Sequence, residues 1–287
     1  MSTSHVMTKL KKIRACAFLA LAAALPLSVA TVQASSLDQI KDKGVIVVGS
    51  EAAYEPFDYM EDGKIVGYNI DIMHEIARRT NLQIEHVNLP FNGLFPALIA
   101  NKMDLVIAAL TITPERVTRY AFTRPTSDTT HVLMVRANEE NINTLEDLDG
   151  KIVAGQLASS FEKELRELDA RLKADNKKGL RELKLYQSFP EMQVALANRQ
   201  VDAVAISTPM AAVIMKKRPN LFKLSAALGD KQYLAWATRA EDTALRDYIN
   251  EQIAVLEADG TLKTLQDKWF GFDVQTPASG YLPEGAL

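Results

Sequence analysis

Cysteine is nearly absent from this sequence. The one cysteine, Cys16, stands at the start of an apolar run near the N-terminus. No disulfide can therefore form within residues 35–287, whose stability must come from burial of apolar side chains. Because Cys16 precedes the apolar run instead of following it, its position argues against a lipid-anchored precursor.

An excess of positive charge is also missing. The chain has 33 lysines and arginines against 36 aspartates and glutamates, which gives a net charge of -3. Residues 1–34 hold four of the positive charges and none of the negative ones, so the remainder has a net charge of -7. This acidic balance argues against nucleic acid and against anionic membrane surfaces as partners.

Signals for metal binding and for covalent catalysis are missing as well. His74, His86 and His131 lack the spacing of metal ligands, and we assign them to surface or core positions. No glycine-rich phosphate loop occurs, and Ser159 and Ser160 lie outside a nucleophile-elbow motif. We therefore expect no metal, no cofactor and no catalytic residue.

The N-terminus has the order of a secretory signal. A basic stretch precedes an apolar run over residues 15–30, and small residues, Val32 and Ala34, follow that run. This order predicts a signal peptide over residues 1–34, with an uncleaved N-terminal anchor as the alternative. No later stretch approaches the length of a membrane span, so we expect residues 35–287 to be a soluble, periplasmic monomer.

Short runs rich in β-branched residues alternate with helical patterns from residue 45 onward. These runs predict strands over 45–49, 82–87, 105–110, 151–155, 184–186 and 201–206. Asn69 and Asn92 are predicted N-caps of two of the helices, and the Asp62-Gly63 pair predicts a hairpin turn. The β/α alternation predicts a mostly parallel sheet covered by helices.

In such sheets, ligands bind beyond the carboxyl ends of the strands, where helix N-termini offer free N–H groups. Four segments follow predicted strands in this way, namely 50–59, 111–116, 156–161 and 207–212. We therefore expect these segments to form a binding site.

Motifs in these segments and between them resemble those of one known family. They read GSEAAYEPF (49–57), GKIVGYNIDI (63–72), FNGLFPAL (91–98), MDLVIAALTITPER (103–116), VDAVAISTP (201–209) and ADGTLKTLQDKWFG (258–271). In this order they are similar to the family-3 extracellular solute-binding proteins, the polar amino-acid receptors of ABC importers. The resemblance covers nearly all of residues 35–287.

The resemblance implies an α/β, two-lobed periplasmic-binding-protein (Venus flytrap) fold, in which two mostly parallel, helix-covered sheets are joined by two hinge strands. We expect lobe 1 at residues 35–127 and 231–273, lobe 2 at 128–230, and a C-terminal tail at 274–287. The ligand in the interlobe cleft would be an amino acid, an opine-like molecule or a small carboxylate. An ABC permease in the inner membrane would be the partner.

Arg116 is the strongest ligand-binding candidate. By resemblance it clamps the ligand carboxylate, and the planar fork of a guanidinium fits a carboxylate in two places. Thr111 and the carbonyl of Ala109 would meet the other end of the ligand backbone, and Ser159 and Ser160 would offer N–H groups from the second lobe. The residues alone leave open a solvated arginine at a helix start, and hydroxyls that cap turns.

Four further residues match positions that line the cleft in the family. Tyr54 and Phe91 are the aromatic pair, Glu51 is an acid that reads the distal group of the ligand, and Gln156 reaches the same distal part. The residues alone leave open core packing for the two rings and a solvated loop for Glu51.

Ser207 departs from the family pattern. Members that bind plain α-amino acids usually have an aspartate here, which pairs with the ligand ammonium. A hydroxyl is a weaker partner for a buried cation. Either Glu51 supplies the charge, or the ammonium is modified, or the ligand lacks one.

The alternative function belongs to another class. A cyclohexadienyl dehydratase uses the same two-lobed scaffold as an enzyme, since a fold does not fix a function. It would need a cleft acid beside a leaving hydroxyl, and Glu51 is the only candidate. We expect a binding protein.

Overall fold

The structure, a computed structural model, describes residues 36–272 and 274–287, and the predicted signal peptide lies outside them. The helices are α1 (Ser36–Lys43), α2 (Tyr68–Thr80), α3 (Phe91–Ile99), α4 (Pro114–Val117), α5 (Ser160–Ala174), α6 (Phe189–Ala197), α7 (Thr208–Lys217), α8 (Thr243–Ala258) and α9 (Thr261–Trp269), with a 3-10 turn at Glu146–Leu148. The strands are β1 (Val45–Ser50), β2 (Ala53–Tyr54), β3 (Asp58–Glu61), β4 (Lys64–Val66), β5 (Gln83–Asn88), β6 (Leu105–Thr111), β7 (Tyr120–Phe122), β8 (Ser127–Arg136), β9 (Ile152–Gln156), β10 (Glu182–Tyr186), β11 (Ala203–Ser207) and β12 (Phe222–Arg239).

Two groups of parallel strands flank a central antiparallel pair, β8 and β12. The first strand group is β6, β1 and β5, and the second is β11, β9 and β10. The 18-residue β12 pairs with β8 along its first part and with β6 and β7 along its last part. Hydrogen bonding therefore runs through both groups as one sheet, and β8 and β12 are the two strands that join them.

Helices cover both faces of the first strand group, which explains why β6 is buried on both sides. On β6, Leu105 and Ile107 point into one core, together with buried residues of α2 and α8. The alternate residues Val106 and Leu110 point into a second core beneath α3. The strands predicted at 45–49 and 105–110 and the Asp62-Gly63 turn, which joins β3 to β4, are confirmed.

The two predicted N-caps are wrong. Asn69 lies within the first turn of α2, where its side chain bridges two buried groups. It donates to Asp58 Oδ2 (2.7 Å) and accepts from Trp236 Nε1 (3.0 Å). Asn92 lies within α3, which begins after Pro90, whose fixed φ suits a helix entry. Gly67 is the N-cap of α2 and Pro90 is the N-cap of α3, so neither helix uses its asparagine as a cap.

Residues 274–287 form no helix or strand but pack back onto the chain. The backbone of Val274 makes two hydrogen bonds with the side chain of Gln266 (3.1 and 3.2 Å), and the Leu287 N–H donates to the Val117 carbonyl (3.1 Å). Leu282 packs against the core beneath α3. In the described part of the chain, none of the helices has the length and apolarity that a bilayer crossing requires.

Candidate functional site

Segments that follow strands of the first group contact segments that follow β9 of the second group. Glu51, directly after β1, accepts a hydrogen bond from Gln156 Nε2 (2.7 Å). Ser160, at the start of α5, donates to the hydroxyl of Thr111, the last residue of β6 (3.1 Å). These four side chains are buried. The interlobe cleft, defined by these contacts, is therefore closed.

Arg116 lies in α4 and is half-buried at one end of the cleft. Its guanidinium donates to the Thr111 carbonyl (3.1 Å) and, across the cleft, to the Ala158 carbonyl (3.4 Å). It also lies over the rings of Phe91 and Phe95, with Cζ 5.5 and 5.4 Å from their centroids. Burial lowers the pKa of Arg116 to about 10, so it stays protonated at neutral pH.

Among the residues that the structure describes, no carboxylate forms an ion pair with Arg116. Only neutral carbonyls occupy its donors, and neutral hydrogen bonds are weaker than bonds to an anion. A ligand carboxylate would therefore bind the Arg116 guanidinium more strongly than these two carbonyls do.

Two acids are buried near one another here, Glu51 in the cleft and Asp58 on β3. Burial raises the pKa of Glu51 to about 7; the hydrogen bond from Gln156 lowers it, and the charge of Glu191 raises it further. Burial also raises the pKa of Asp58 to about 8, against the effect of its hydrogen bond from Asn69. A carboxyl in this state can donate to a neutral ligand group, or can ionise to pair with a cation.

An aromatic contact closes the same side of the cleft. The Tyr54 ring stacks on Phe189, with centroids 4.7 Å apart and an interplanar angle of 12°. Burial raises the pKa of Tyr54, and the nearby Ser207 hydroxyl lowers it. Ser207 is fully buried at the end of β11, and in the described chain its Oγ has no hydrogen bond of standard geometry. Tyr54, on β2, thus contacts α6, the helix that follows β10 of the second strand group.

The structure brings nearly all of the predicted site residues into these contacts. Ser159 donates to the Gln156 carbonyl (2.6 Å) and also accepts from the Glu162 N–H (3.3 Å), so it caps α5, which is the alternative that the sequence left open for it. Ala109 lies on β6, two residues before Thr111, and is half-buried. Within residues 36–272 and 274–287, no three metal-ligating side chains come together.

Sequence reasoning missed four residues at the cleft. Phe95 follows Phe91 by one helical turn, so the spacing of the two rings could have indicated it. Phe189 follows β10, as the other site segments follow their strands, but 184–190 was not among the segments that we singled out. The charge of Glu191 acts on Glu51 and that of Glu51 acts on Asp58, and no sequence pattern shows their proximity.

A cleft between two α/β strand groups that two strands join is the architecture of a two-lobed solute-binding protein. The profile of the bacterial extracellular solute-binding proteins, family 3, matches residues 46–272, and the chain belongs to this family. The predicted recognition and fold class are therefore confirmed. Two curated members of the family are named as binding proteins, which favours the binding function over the dehydratase alternative.

Two curated relatives align along most of the chain. The L-cystine-binding protein TcyJ of Escherichia coli (strain K12) is 29% identical over 240 residues, which are 83% of this chain and 87% of TcyJ. The putative amino-acid ABC transporter-binding protein PatH of Vibrio harveyi is 32% identical over 254 residues, 88% of this chain and 96% of PatH.

Among solved structures, an ancestral amino acid-binding protein described as a precursor of cyclohexadienyl dehydratase superimposes with a TM-score of 0.74. It is 28% identical, and the alignment covers 82% of this chain and all of that one. The fold is therefore that of two-lobed amino-acid-binding proteins.

Proposed function

We propose that this protein is a periplasmic receptor that binds a small amino acid or amino-acid derivative in the interlobe cleft and presents it to an ABC permease. One observation carries the proposal: Arg116 is a protonated, half-buried guanidinium at the cleft whose donors meet only carbonyls. The names of TcyJ and PatH, which refer to L-cystine and to amino acids, support this ligand class.

In this proposal Arg116 holds the ligand carboxylate through two parallel hydrogen bonds. Thr111 and Ser160, which already meet across the cleft, contribute hydroxyl groups from the two sides. Glu51 and Gln156 contact the distal part of the ligand. The hydrogen bond between these two side chains breaks when the ligand enters the cleft.

The remaining site residues follow the same plan. Tyr54 and Phe91 pack against the aliphatic part of the ligand, and Ser207 accepts or donates one hydrogen bond near its amine. Lobe 1 would comprise residues 35–127 and 231–273, and lobe 2 residues 128–230. The lobes would move apart about β8 and β12 to admit the ligand.

Export completes the proposal. The basic, apolar and small-residue order of residues 1–34 supports cleavage after Ala34, which would release the receptor into the periplasm as a monomer.

One preparation tests these points together. The full chain is expressed in a Gram-negative host, purified from the periplasmic fraction and weighed intact; we expect a mature N-terminus at Ser35. Thermal-shift screening of amino acids, their N-substituted derivatives and small carboxylates then selects ligands, since a ligand of the folded state raises the melting temperature. Calorimetry measures their dissociation constants.

Prephenate and arogenate enter the same screen, with detection of aromatic product. We expect saturable binding of at least one amino-acid-type ligand and no product. Retention of residues 1–34 would contradict export. Turnover of either compound would show that the protein is a dehydratase and not a binding protein, with Glu51 as its acid.

A further inference from the structure

Arg116 lies on the shortest α-helix that the structure describes. That helix, α4, has only four residues, Pro114–Val117. An isolated helix of this length is not stable in water, because its first turn fixes several residues for one hydrogen bond. The carbonyls at its C-terminal end also have no partner within the helix. The position of Arg116 therefore depends on the contacts that other parts of the chain make with α4.

The start of α4 and the Arg116 side chain have support close by. Thr113 is the N-cap, and its hydroxyl accepts from the Arg116 N–H (3.3 Å). The guanidinium packs over the rings of Phe91 and Phe95 on α3. These contacts hold the first turn and the side chain, whereas the C-terminal end of α4, at Val117, is held from elsewhere.

Residues 280–287, which we call the C-terminal strap, hold that end. The Leu287 N–H donates to the Val117 carbonyl (3.1 Å), which satisfies one of the carbonyls at the helix end. The Leu287 carbonyl accepts in turn from Arg246 Nη1 on α8 (3.2 Å). The strap thereby joins the end of the four-residue α4 to the 16-residue α8.

An apolar side chain of the strap packs beside the same helix. Leu282 packs against the core beneath α3, which contains Val117. Leu282 also lines a groove of about 280 Å³ together with Ile112 and Pro114, which precede Arg116. The strap therefore meets the chain both before and after Arg116.

The strap contributes less to the larger core of the protein. Within the described chain, its apolar side chains pack against the core beneath α3, and the core that contains buried residues of α2 and α8 has none of them. Val274, which precedes the strap, makes its own two hydrogen bonds with Gln266. Removal of the strap should therefore leave most of the fold in place while it loosens α4.

We propose that the C-terminal strap positions Arg116 for a ligand carboxylate. This inference rests on the proposed function and adds a second segment of the chain to the clamp. Without the strap, α4 would occupy its place for only part of the time, and the apparent dissociation constant would rise by the reciprocal of that fraction. If the fraction is about one tenth, affinity falls about tenfold.

Hydrogen exchange of the empty protein tests the positioning without a ligand. A variant that ends at Ser279 lacks the strap. In the full chain the N–H groups of Arg116 and Val117 bond to Thr113. In the truncated variant these two amides should exchange about tenfold faster or more, because local opening exposes them more often. The amides of α6, which follows β10, are the internal reference and should exchange as before.

Two point variants accompany the truncation. Leu282→Ala removes one apolar contact of the strap and keeps the rest of the chain, so it tests the same prediction if the truncated variant does not fold. It should accelerate exchange of the α4 amides by about threefold. Glu284→Gln changes an exposed side chain of the strap and should leave this exchange as in wild type.

A double-mutant cycle tests whether the strap acts through Arg116. The probe is whichever of the twenty standard amino acids and L-cystine binds the full chain most tightly in calorimetry. Truncation should raise the dissociation constant of wild type about tenfold but that of Arg116→Ala by less than about twofold, because no guanidinium is left to position. If Arg116→Ala binds too weakly to measure, Arg116→Lys replaces it. Truncation should then raise the dissociation constant by a smaller factor than in wild type, since an ammonium forms no paired bonds.

Leu262→Ala controls for a general loss of stability. Leu262 is buried in the larger core, on α9, and its truncation to alanine should destabilise the protein without changing the dissociation constant of the probe. If Leu262→Ala weakens binding as much as loss of the strap does, the strap has a structural role only and the inference is wrong.

The outcomes separate this inference from the proposed function. Unchanged exchange in α4, unchanged affinity after truncation, or an equal loss of affinity with and without the Arg116 guanidinium overturns the role of the strap and leaves the amino-acid receptor standing. If none of these amino acids binds the full chain, the proposed function fails and the inference fails with it.

Discussion

At the scale of single residues, Glu51 in the cleft and Asp58 on β3 are carboxyl groups whose pKa values burial raises to near neutral pH. Glu51 is 5% exposed and Asp58 is 1% exposed, and their partners are neutral: the amides of Gln156 and Asn69, and for Asp58 also the Ser50 hydroxyl. No cation of the described residues pairs with either acid, so burial dominates their pKa values. A ligand cation would find an ionisable partner here, at the cost of a proton.

The raised pKa of Glu51 predicts a pH dependence of stability. Because the folded pKa of about 7 exceeds the ordinary value of 4.5, the folded protein binds this proton more tightly than the unfolded chain. The free energy of unfolding should therefore fall as pH rises from 4.5 to 7, by about 2 kcal/mol from Glu51 between pH 5 and pH 8. Urea unfolding of the empty protein at these two pH values measures the fall.

Glu51→Gln removes this contribution and should show a smaller decline over the same window. His86, whose pKa burial lowers, acts in the opposite direction, but it titrates in both proteins and cancels in the comparison. If the free energy of unfolding depends on pH in the same way for wild type and variant, the account of Glu51 is contradicted.

The sequence indicated which segments form the site, but it did not indicate which side chains contact one another there. The segments that contain Arg116, Thr111 and Ser160 were found because each lies at the end of a strand whose apolar pattern is clear, and the resemblance to the family pointed to these three residues within them. The proximity of Glu51 to Asp58 and Glu191 depends on how three separate segments pack, and no spacing along the chain encodes it. The acid pair therefore became visible only in three dimensions.

At the scale of elements, the entry into α2 depends on a glycine. Gly67 has φ of 139°, and an ideal Cβ there would lie 2.1 Å from the Phe57 carbonyl oxygen. The close approach lets the N–H groups of Tyr68 and Asn69 donate to the carbonyls of Pro56 and Phe57 (2.9 and 3.1 Å). It thereby fixes the segment that holds Asp58.

Gly67→Ala should destabilise the protein by about 3 kcal/mol or more, because backbone strain and a clash with a fixed carbonyl add. Gly63→Ala is the matched control. Gly63 also has a positive φ, 75°, but open space lies where its Cβ would be, so strain alone should cost about 1–2 kcal/mol. Urea unfolding measures both; equal losses would contradict the close packing at Gly67.

Strands were easier to predict than helix ends. A run such as 105–110 has one explanation, a buried strand, whereas Asn69 suits either a cap or a polar contact in the first turn. The bonds from Asn69 to Asp58 and Trp236 connect parts of the chain that lie far apart in sequence. Local propensity cannot anticipate such a competition.

At the scale of the molecule, contacts on the surface add to those inside the cleft. Lys217, at the end of α7, donates to both carboxylate oxygens of Glu55 (2.7 and 2.9 Å). The pair is solvated and contributes little by itself, about 1 kcal/mol or less. Closure therefore depends on the buried contacts of Glu51 and Thr111 and on the half-buried Arg116, which a ligand can replace.

The central claim is that Arg116 holds the carboxylate of a ligand in this cleft, and one affinity series tests it most directly. The dissociation constant of the ligand selected by the screen is measured for wild type, Arg116→Ala and Arg116→Lys. Loss of one partner of a buried charged pair costs about 2–5 kcal/mol, so Arg116→Ala should bind roughly 30-fold to several thousand-fold more weakly. Arg116→Lys should recover only part of this, since an ammonium cannot form the paired bonds.

Arg171→Ala, an exposed arginine on α5, is the control and should bind as wild type does. The unliganded melting temperature of Arg116→Ala should fall by about 4 °C or less, because the residue makes only carbonyl and ring contacts in the empty protein. Weak binding by Arg116→Ala in a protein that still folds is the predicted result. Binding by Arg116→Ala within about twofold of wild type would contradict the clamp, because such a change is only about 0.4 kcal/mol.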